Sequence, residues 1–356
     1  MRKIIGLTYD LKTDWVGNPG DPVDANAELD SPATMERIAS TLERAGYSIK
    51  RIGNARKLLK LITSDELDVD LVFNICEGYH GRNRESEVPL LLEMHDIPFV
   101  GSDALTMGIS LDKIAAKKCF IADGVSTPRY FCAYNSDNLE KLNKIGFPLI
   151  VKTRHEGTSK GLTKGSRVED YASLKRQIDI ITKQYHQPAL VEEFIKGSEF
   201  TVPVLGNIDP KAMPVVQVSI DGKTNLGDEF FTFDRVIIKE STVKYICPAE
   251  ISEKLTKEMQ DLAVRAYQSI DCRDFGRVDF RVDEKGKPYV LEINPLPSLA
   301  EKDVFNIFPY AIGSSYDEVL AKIVNFALER QGILDKKVTG KDRVKQTAKS
   351  NLVKVR

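Results

Sequence analysis

The 356-residue chain has little of what marks several large classes of protein. Its five cysteines, Cys76, Cys119, Cys132, Cys247 and Cys272, include no C-x-x-C pair and leave one over. That fits reduced thiols in a cytoplasmic protein better than a disulfide scaffold, and each reads as a small buried hydrophobe. Four histidines without paired spacing exclude a zinc site of familiar type. A net charge of −1 excludes a body built for broad binding to nucleic acid or membrane lipid. No apolar run approaches a membrane span, and the one in MRKIIGLTYD is too short for a signal peptide. There is no internal repeat, no low-complexity block, no Walker A loop and no Ser/His/Asp pattern. What remains, 42% hydrophobic and 29% charged residues, is the composition of a globular protein with two or three cores.

The most informative stretch is DFGRVDFRVDEKGKPYVLEINPLPS, residues 274–298. It predicts two strands, Arg277–Asp283 and Pro288–Asn294, around a four-residue turn of Glu284 to Lys287. Counting outward from Asp283 opposite Pro288 sets Arg281 against Val290, Asp279 against Glu292 and Arg277 against Asn294. Val278, Phe280, Val282, Tyr289, Leu291 and Ile293 fall on the other, apolar surface. Two carboxylates across a ladder repel unless a cation lies between them. Asp279, Glu292 and the amide oxygen of Asn294 are hard ligands suited to Mg²⁺, and Arg277 beside them could hold a phosphate or an oxyanion. The bland alternative is a hairpin with one solvated, charged face.

Residues 1–108 read as strand and helix in alternation, with strands at Lys3–Thr8, Tyr47–Ile52, Val69–Ile75 and Ile97–Gly101. Helices are expected from Ser31-Pro32 to Gly46 and over Glu85–His95. This pattern predicts a parallel sheet whose ligands meet the C-terminal strand ends, beside the loops Tyr9–Asp30 and Cys76–Arg84. Glu28 and Asp30 could meet a substrate ammonium there, or serve only as helix-start acids. One helix is expected over Ser110–Gly124. Beyond it, a strand Phe147–Lys152 leads into KTRHEGTSKGLTKGS, where Gly157, Gly161 and Gly165 alternate with hydroxyls and lysines. Such a segment cradles phosphate through backbone N–H groups, although a flexible hairpin tip would look alike. Strands at Ala189–Phe194, Glu199–Leu205 and Pro214–Ile220, a mobile loop over Asp221–Glu240, and helices at Ser252–Ile270 and Tyr316–Glu329 complete the reading. From Lys336 to Arg356 eight basic residues meet one Asp, a tail expected to be disordered and given no role.

Five segments together resemble the D-alanine-D-alanine ligase family of the ATP-grasp superfamily, over nearly the whole chain short of the tail. They are IPFVGSDALTMGISLDK (97–113), FPLIVK with HEGTSKG (147–161), LVEEFIKGSEFTVPVLGN (190–207), YICPAE (245–250) and RVDF followed by LEINPLP. The resemblance implies an α/β protein of ATP-grasp fold: a parallel-sheet domain (1–108) and two α+β domains clasping ATP (109–188 and 189–334), with the tail at 335–356. It implies that Lys113 and Lys152 contact ATP phosphates, that Glu192, Glu193, Phe194 and Ile195 surround the adenine, and that Glu199 meets the ribose. Gly157 and Lys239 complete the expected ATP contacts. Asp279, Glu292 and Asn294 would hold two Mg²⁺ ions, with Mn²⁺ as a substitute. Arg277, Ser298, Thr158 and Ser159 would act at the reacting centre, and the segments near Gly157 and over Phe233–Glu240 would close as lids.

The expected activity is therefore ATP-dependent joining of a carboxylate and an amine through an acyl phosphate. Departures bear on the substrates. The family's Asn-Thr-x-Pro-Gly reads Asn294-Pro-Leu-Pro-Ser298 here, and its HG…GED pattern reads CEGYHGRNRES. At the family's Ser-Leu pair, which binds the acceptor carboxylate, stands Asp303-Val304, and an Asp repels a carboxylate. The substrates are expected to be amino acids or peptides, held by Glu28, Asp30 and Asp303, with an acceptor other than D-alanine. A true D-alanine-D-alanine ligase of peptidoglycan synthesis and a non-catalytic nucleotide-binding scaffold are the alternatives. The resemblance is compatible with a homodimer; no nucleic-acid or membrane partner is expected.

Overall fold

The computed structural model describes residues 2–233, 235 and 243–333. Lys239, most of the expected lid over 233–240 and the basic tail lie outside the described residues. The strands β1 (Ile4–Tyr9), β2 (Ser48–Gly53), β3 (Leu71–Ile75) and β4 (Phe99–Val100) pair in parallel in the order β2-β1-β3-β4. Helices cover both faces, so β3 is buried throughout. The helix Pro32–Arg44 starts as expected, with Ser31 accepting the Thr34 N–H. The helix Ala55–Thr63 was missed, although Asn54 caps it and Leu58 buries its apolar side. The helix expected over 110–124 is present as Lys113–Ala122, and a further helix, Ala104–Leu111, precedes it unanticipated. Asp112 divides them, its carboxylate accepting the Ile114 and Ala115 N–H groups in competition with the helix backbone.

The second sheet is antiparallel. It joins β5 (Tyr130–Ala133), β6 (Leu149–Thr153), β7 (Arg167–Val168) and β8 (Ala189–Glu193) in the order β5-β8-β6-β7. The helix Tyr171–Gln184 backs it with Leu174, Ile178 and Ile181. The third sheet comprises β9 (Gly197–Leu205), β10 (Lys211–Ala212), β11 (Val216–Ile220), β12 (Val243–Ile246), β13 (Phe275–Asp283) and β14 (Pro288–Asn294). Its order is β12-β11-β9-β13-β14, with β10 on β9, and the helix Glu253–Ser269 packs against it. Within the stretch expected to be a mobile loop, Leu226 and Phe230 are buried, Phe230 edge-on to Phe194 at 5.8 Å.

The chain's last described helix, Tyr316–Arg330, returns to the first sheet. Its Ile323, Val324 and Leu328 share a core with Ile5, Leu7 and Phe73. Asp274 fixes that junction. Fully buried, it takes the Arg330 guanidinium at 2.7 Å and the Gly101 N–H at 2.8 Å, bonding the C-terminal helix to the end of β4.

Candidate active site

The hairpin of β13 and β14 sets the acidic pair. Arg277 lies opposite Asn294 and Asp279 opposite Glu292, as the period of two requires. The turn, however, is shorter than expected. Asp283 bonds backbone to backbone with Lys287, its carboxylate takes the Lys285 and Lys287 N–H groups, and Gly286 adopts φ 82°. Arg281 therefore faces Tyr289 and Phe280 faces Val290, and an extra residue at Leu291 restores the register at Glu292. Val290 takes the core position assigned to its neighbours, while Leu291 turns to the cavity.

Asp279 accepts two hydrogen bonds from Arg277, both 3.0 Å, and one each from Thr201 Oγ1 at 2.6 Å and Asn294 Nδ2 at 3.0 Å. Burial still pushes its carboxyl up, with Glu292 adding to the rise and Arg277 opposing it. Glu292 is also desolvated, but Lys113, Lys152 and Arg277 outweigh burial and hold its carboxyl below the ordinary range. Lys113 Nζ stands 3.3 Å from it.

Across the cavity, Lys152 on β6 and Glu192 on β8 pair at 2.8 Å. Lys117, which the sequence reading missed, reaches the other Glu192 oxygen at 2.5 Å. Its signal was available: it follows Lys113 by four residues, one helical turn. Burial would raise the Glu192 carboxyl, yet the two ammoniums bring it down to about 2. Desolvation lowers Lys117, whereas Glu192 overcomes desolvation at Lys152 and raises it. Phe194 and Ile195 follow as buried cavity wall, Glu193 pairs with Arg129 at 2.9 Å, and Glu199 pairs with Arg281 at 2.8 Å.

The glycine-bearing loop is tied down rather than free. Thr158 and Ser159 occupy the left-handed region at φ 48° and 55°. The Gly157 N–H donates to Glu28, the Gly161 N–H to Asp24 at 2.8 Å, and Tyr185 Oη to Asp24 at 2.9 Å. Lys113 Nζ donates to the Glu156 carbonyl. Glu28 is neither a helix-start acid nor open, since Arg84 and Lys160 hold it at 2.8 and 3.1 Å. These cations outweigh burial and keep its carboxyl low. Ser298 is exposed at the rim. Asp303 caps the helix Val304–Ala311 through the Val304 N–H at 2.6 Å and lies 3.7 Å from Arg277.

These groups surround one cavity of about 530 Å³ between the three sheets. It gathers every site residue expected from the sequence that lies among the described residues. Glu77 and Glu85 line it too and were not anticipated.

A glycine loop and Lys152 on one antiparallel sheet, with Lys113 and Lys117 on the helix before it, facing an acidic hairpin on a second sheet, make this an ATP-grasp ligase. The family description "D-ala D-ala ligase C-terminus" matches residues 125–325. A D-alanine–D-alanine ligase of Mannheimia succiniciproducens is 32% identical over 298 residues, 82% of this chain and 91% of that one. An uncharacterized protein of Sinorhizobium fredii is 34% identical over 263 residues, 73% of this chain and 75% of its own. The crystal structure of the Bacillus anthracis D-alanine–D-alanine ligase complexed with ATP superposes with a TM-score of 0.70 at 23% identity, covering 93% of this chain and 99% of that one. The chain belongs to the D-alanine–D-alanine ligase family. It is an ATP-dependent ligase that forms a C–N bond, which sets aside the scaffold alternative. Among the described residues no helix is long and apolar enough to cross a membrane.

Proposed function

We propose that this protein joins an amino acid to a second amino acid or amine through an acyl phosphate, releasing ADP and phosphate. The observation that carries the reading is the opposed pair Asp279 and Glu292, with Arg277 beside it and two cavity lysines within electrostatic reach of Glu292. The donor set fits Mg²⁺: two carboxylates that repel each other, with the Asn294 amide nitrogen turned to Asp279 and its oxygen left as a third hard ligand. Bound there, the ion would spread charge on the triphosphate, with Mn²⁺ able to substitute.

The protein's own groups then divide the work. Lys113 and Lys152 offset the charge of the phosphates, and Gly157, Thr158 and Ser159 cover them and exclude water that would hydrolyse the acyl phosphate. Glu192, Glu193, Phe194 and Ile195 surround the adenine, and Glu199 meets the ribose. Arg277 stabilises the oxyanion formed when the amine adds to the activated carbonyl, with the Ser298 N–H as a second donor. Asp30 and Asp303 face the amino-acid substrates, and Glu28 orders the glycine loop beside them. The three sheets support units over 1–108, 109–188 and 189–334 that close on the nucleotide.

The relatives' names favour a second reading, D-alanine–D-alanine ligation itself. A screen of carboxylic acids with MgATP and hydroxylamine traps the acyl phosphate as a hydroxamate whatever the natural amine. Absence of hydroxamate and ADP with every acid would refute the ligase mechanism. Turnover confined to D-alanine would establish the second reading.

A further inference from the structure

Three carboxylates on the first-sheet side of the cavity have no partner among the described residues. Glu85, on the short 3-10 turn Arg84–Ser86, is 8% exposed and lines the cavity. Glu77, just past the C-terminal end of β3, and Asp30, just before the helix Pro32–Arg44, line it as well. Among the described residues, none of the three side chains accepts a hydrogen bond or joins an ion pair. A buried carboxylate in that state is costly unless something in the cavity neutralises it.

The cations nearby are committed elsewhere. Arg84 is held by Glu28 at 2.8 Å and Glu156 at 3.2 Å, and Lys113 by Glu292 and the Glu156 carbonyl. Lys12, which acts on Asp30, is exposed at the rim. The remaining neighbours add negative charge: Glu28 faces both Glu77 and Glu85, Glu156 faces Glu85, and Asp10 and Asp303 face Asp30. Burial first, and this repulsion second, push Asp30 and Glu85 up to about 7 and Glu77 well above the carboxylate range. An ammonium group, which combines positive charge with hydrogen-bond donors, matches such a wall.

We propose that this wall is a receptor for a second positive charge on a substrate, so that the ligase acts on a dibasic compound, a basic amino acid or a diamine, rather than on an amino acid with an apolar side chain. The proposal rests on the ligase reading above. An ammonium reaching Glu77, Glu85 and Asp30 would gain hydrogen bonds that the protein leaves unmade, and an alanine methyl would leave the buried Glu85 and the half-buried Glu77 and Asp30 unmatched.

The test compares ornithine and lysine with their neutral counterparts norvaline and norleucine, each in both stereochemical forms, offered as donor to the hydroxylamine trap and as acceptor in the ADP-release assay. Diamines are included as acceptors. The expected result is a kcat/KM about 10-fold or more higher for the basic member of a pair. Glu85→Gln and Glu77→Gln should erase most of that preference through KM, with the KM for ATP nearly unmoved. Calorimetry on the protein with the non-hydrolysable nucleotide AMP-PNP and Mg²⁺ reads the receptor without turnover. Ornithine should bind and release protons near pH 7, where norvaline should not. Equal or better use of the neutral compounds, or equal binding in calorimetry, would overturn the proposal. Selective ornithine binding without any hydroxamate or ADP would instead keep the receptor and sink the ligase mechanism.

Discussion

Lys117 and Glu192 meet at 2.5 Å with neither side chain more than 1% exposed, and Lys152 reaches the second carboxylate oxygen at 2.8 Å. One anion between two cations leaves a net positive charge, and Lys152, which lines the cavity, presents it there. Glu192 thus holds a lysine charged where burial alone would discharge it. Lys117 completes the arrangement from behind, bonded also to Thr127 Oγ1 at 2.6 Å.

Removing one partner should be severe. Lys117→Met leaves Glu192 with a single cation in a dry setting and should destabilise the protein by about 3 kcal/mol, the scale of a broken buried pair. Urea denaturation measures it, and a loss below about 1 kcal/mol would mean that water reaches the carboxylate.

The same pair shapes acid stability. Glu192 is depressed to about 2 in the folded state, so its contribution is complete above the unfolded value near 4.5 and is lost as pH falls from there toward 2. Glu192→Gln should flatten the acid limb of the stability curve over that range, as read from denaturation midpoints.

Asp30 carries the opposite sign. Its folded value of about 7 lies above the unfolded one, so the unfolded chain holds fewer protons between pH 4 and 7 and stability falls as pH rises across that interval. Asp30→Asn should raise the melting temperature at pH 8 and leave it unchanged at pH 4. An equal shift at both would trace the effect to packing.

Glu292→Gln removes a charge facing Asp279 across the ladder, so the fold should persist while ADP release falls by about 100-fold or more. Circular dichroism and a coupled assay separate the two. Retained turnover would dismiss the acidic hairpin as the ion site.

Asp24, 2% exposed, holds the Gly161 N–H and the Tyr185 hydroxyl. Asp24→Ala strands both donors and should cost about 1–3 kcal/mol. It should also raise the KM for ATP by loosening the glycine loop, and limited proteolysis near residue 160 reports that directly.

Much of the hairpin was legible because strand alternation is local. The pairing of Asp279 with Glu292 follows from counting, and it survived an error at the turn only because the extra residue at Leu291 cancels the missing one. The Asp283 side chain decides that turn, and a pattern of apolar positions does not register it. Asp112 likewise set the start of the helix expected from Ser110 at Lys113, by capping it.

Short-range chemistry settled the longer strands, the helix starts at Ser31 and Ser252, and the acidic pair, since each depends on residues within one or two turns of chain; the strands Tyr130–Ala133, Arg167–Val168, Lys211–Ala212 and Val243–Ile246 were not legible. Tertiary structure alone decided that Glu192 lies between two lysines, that Glu28 is locked by Arg84, and that Glu77, Glu85 and Asp30 line the cavity without partners among the described residues. Those outcomes depend on which charges lose their water together. Folding, by bringing distant segments into contact, determines that.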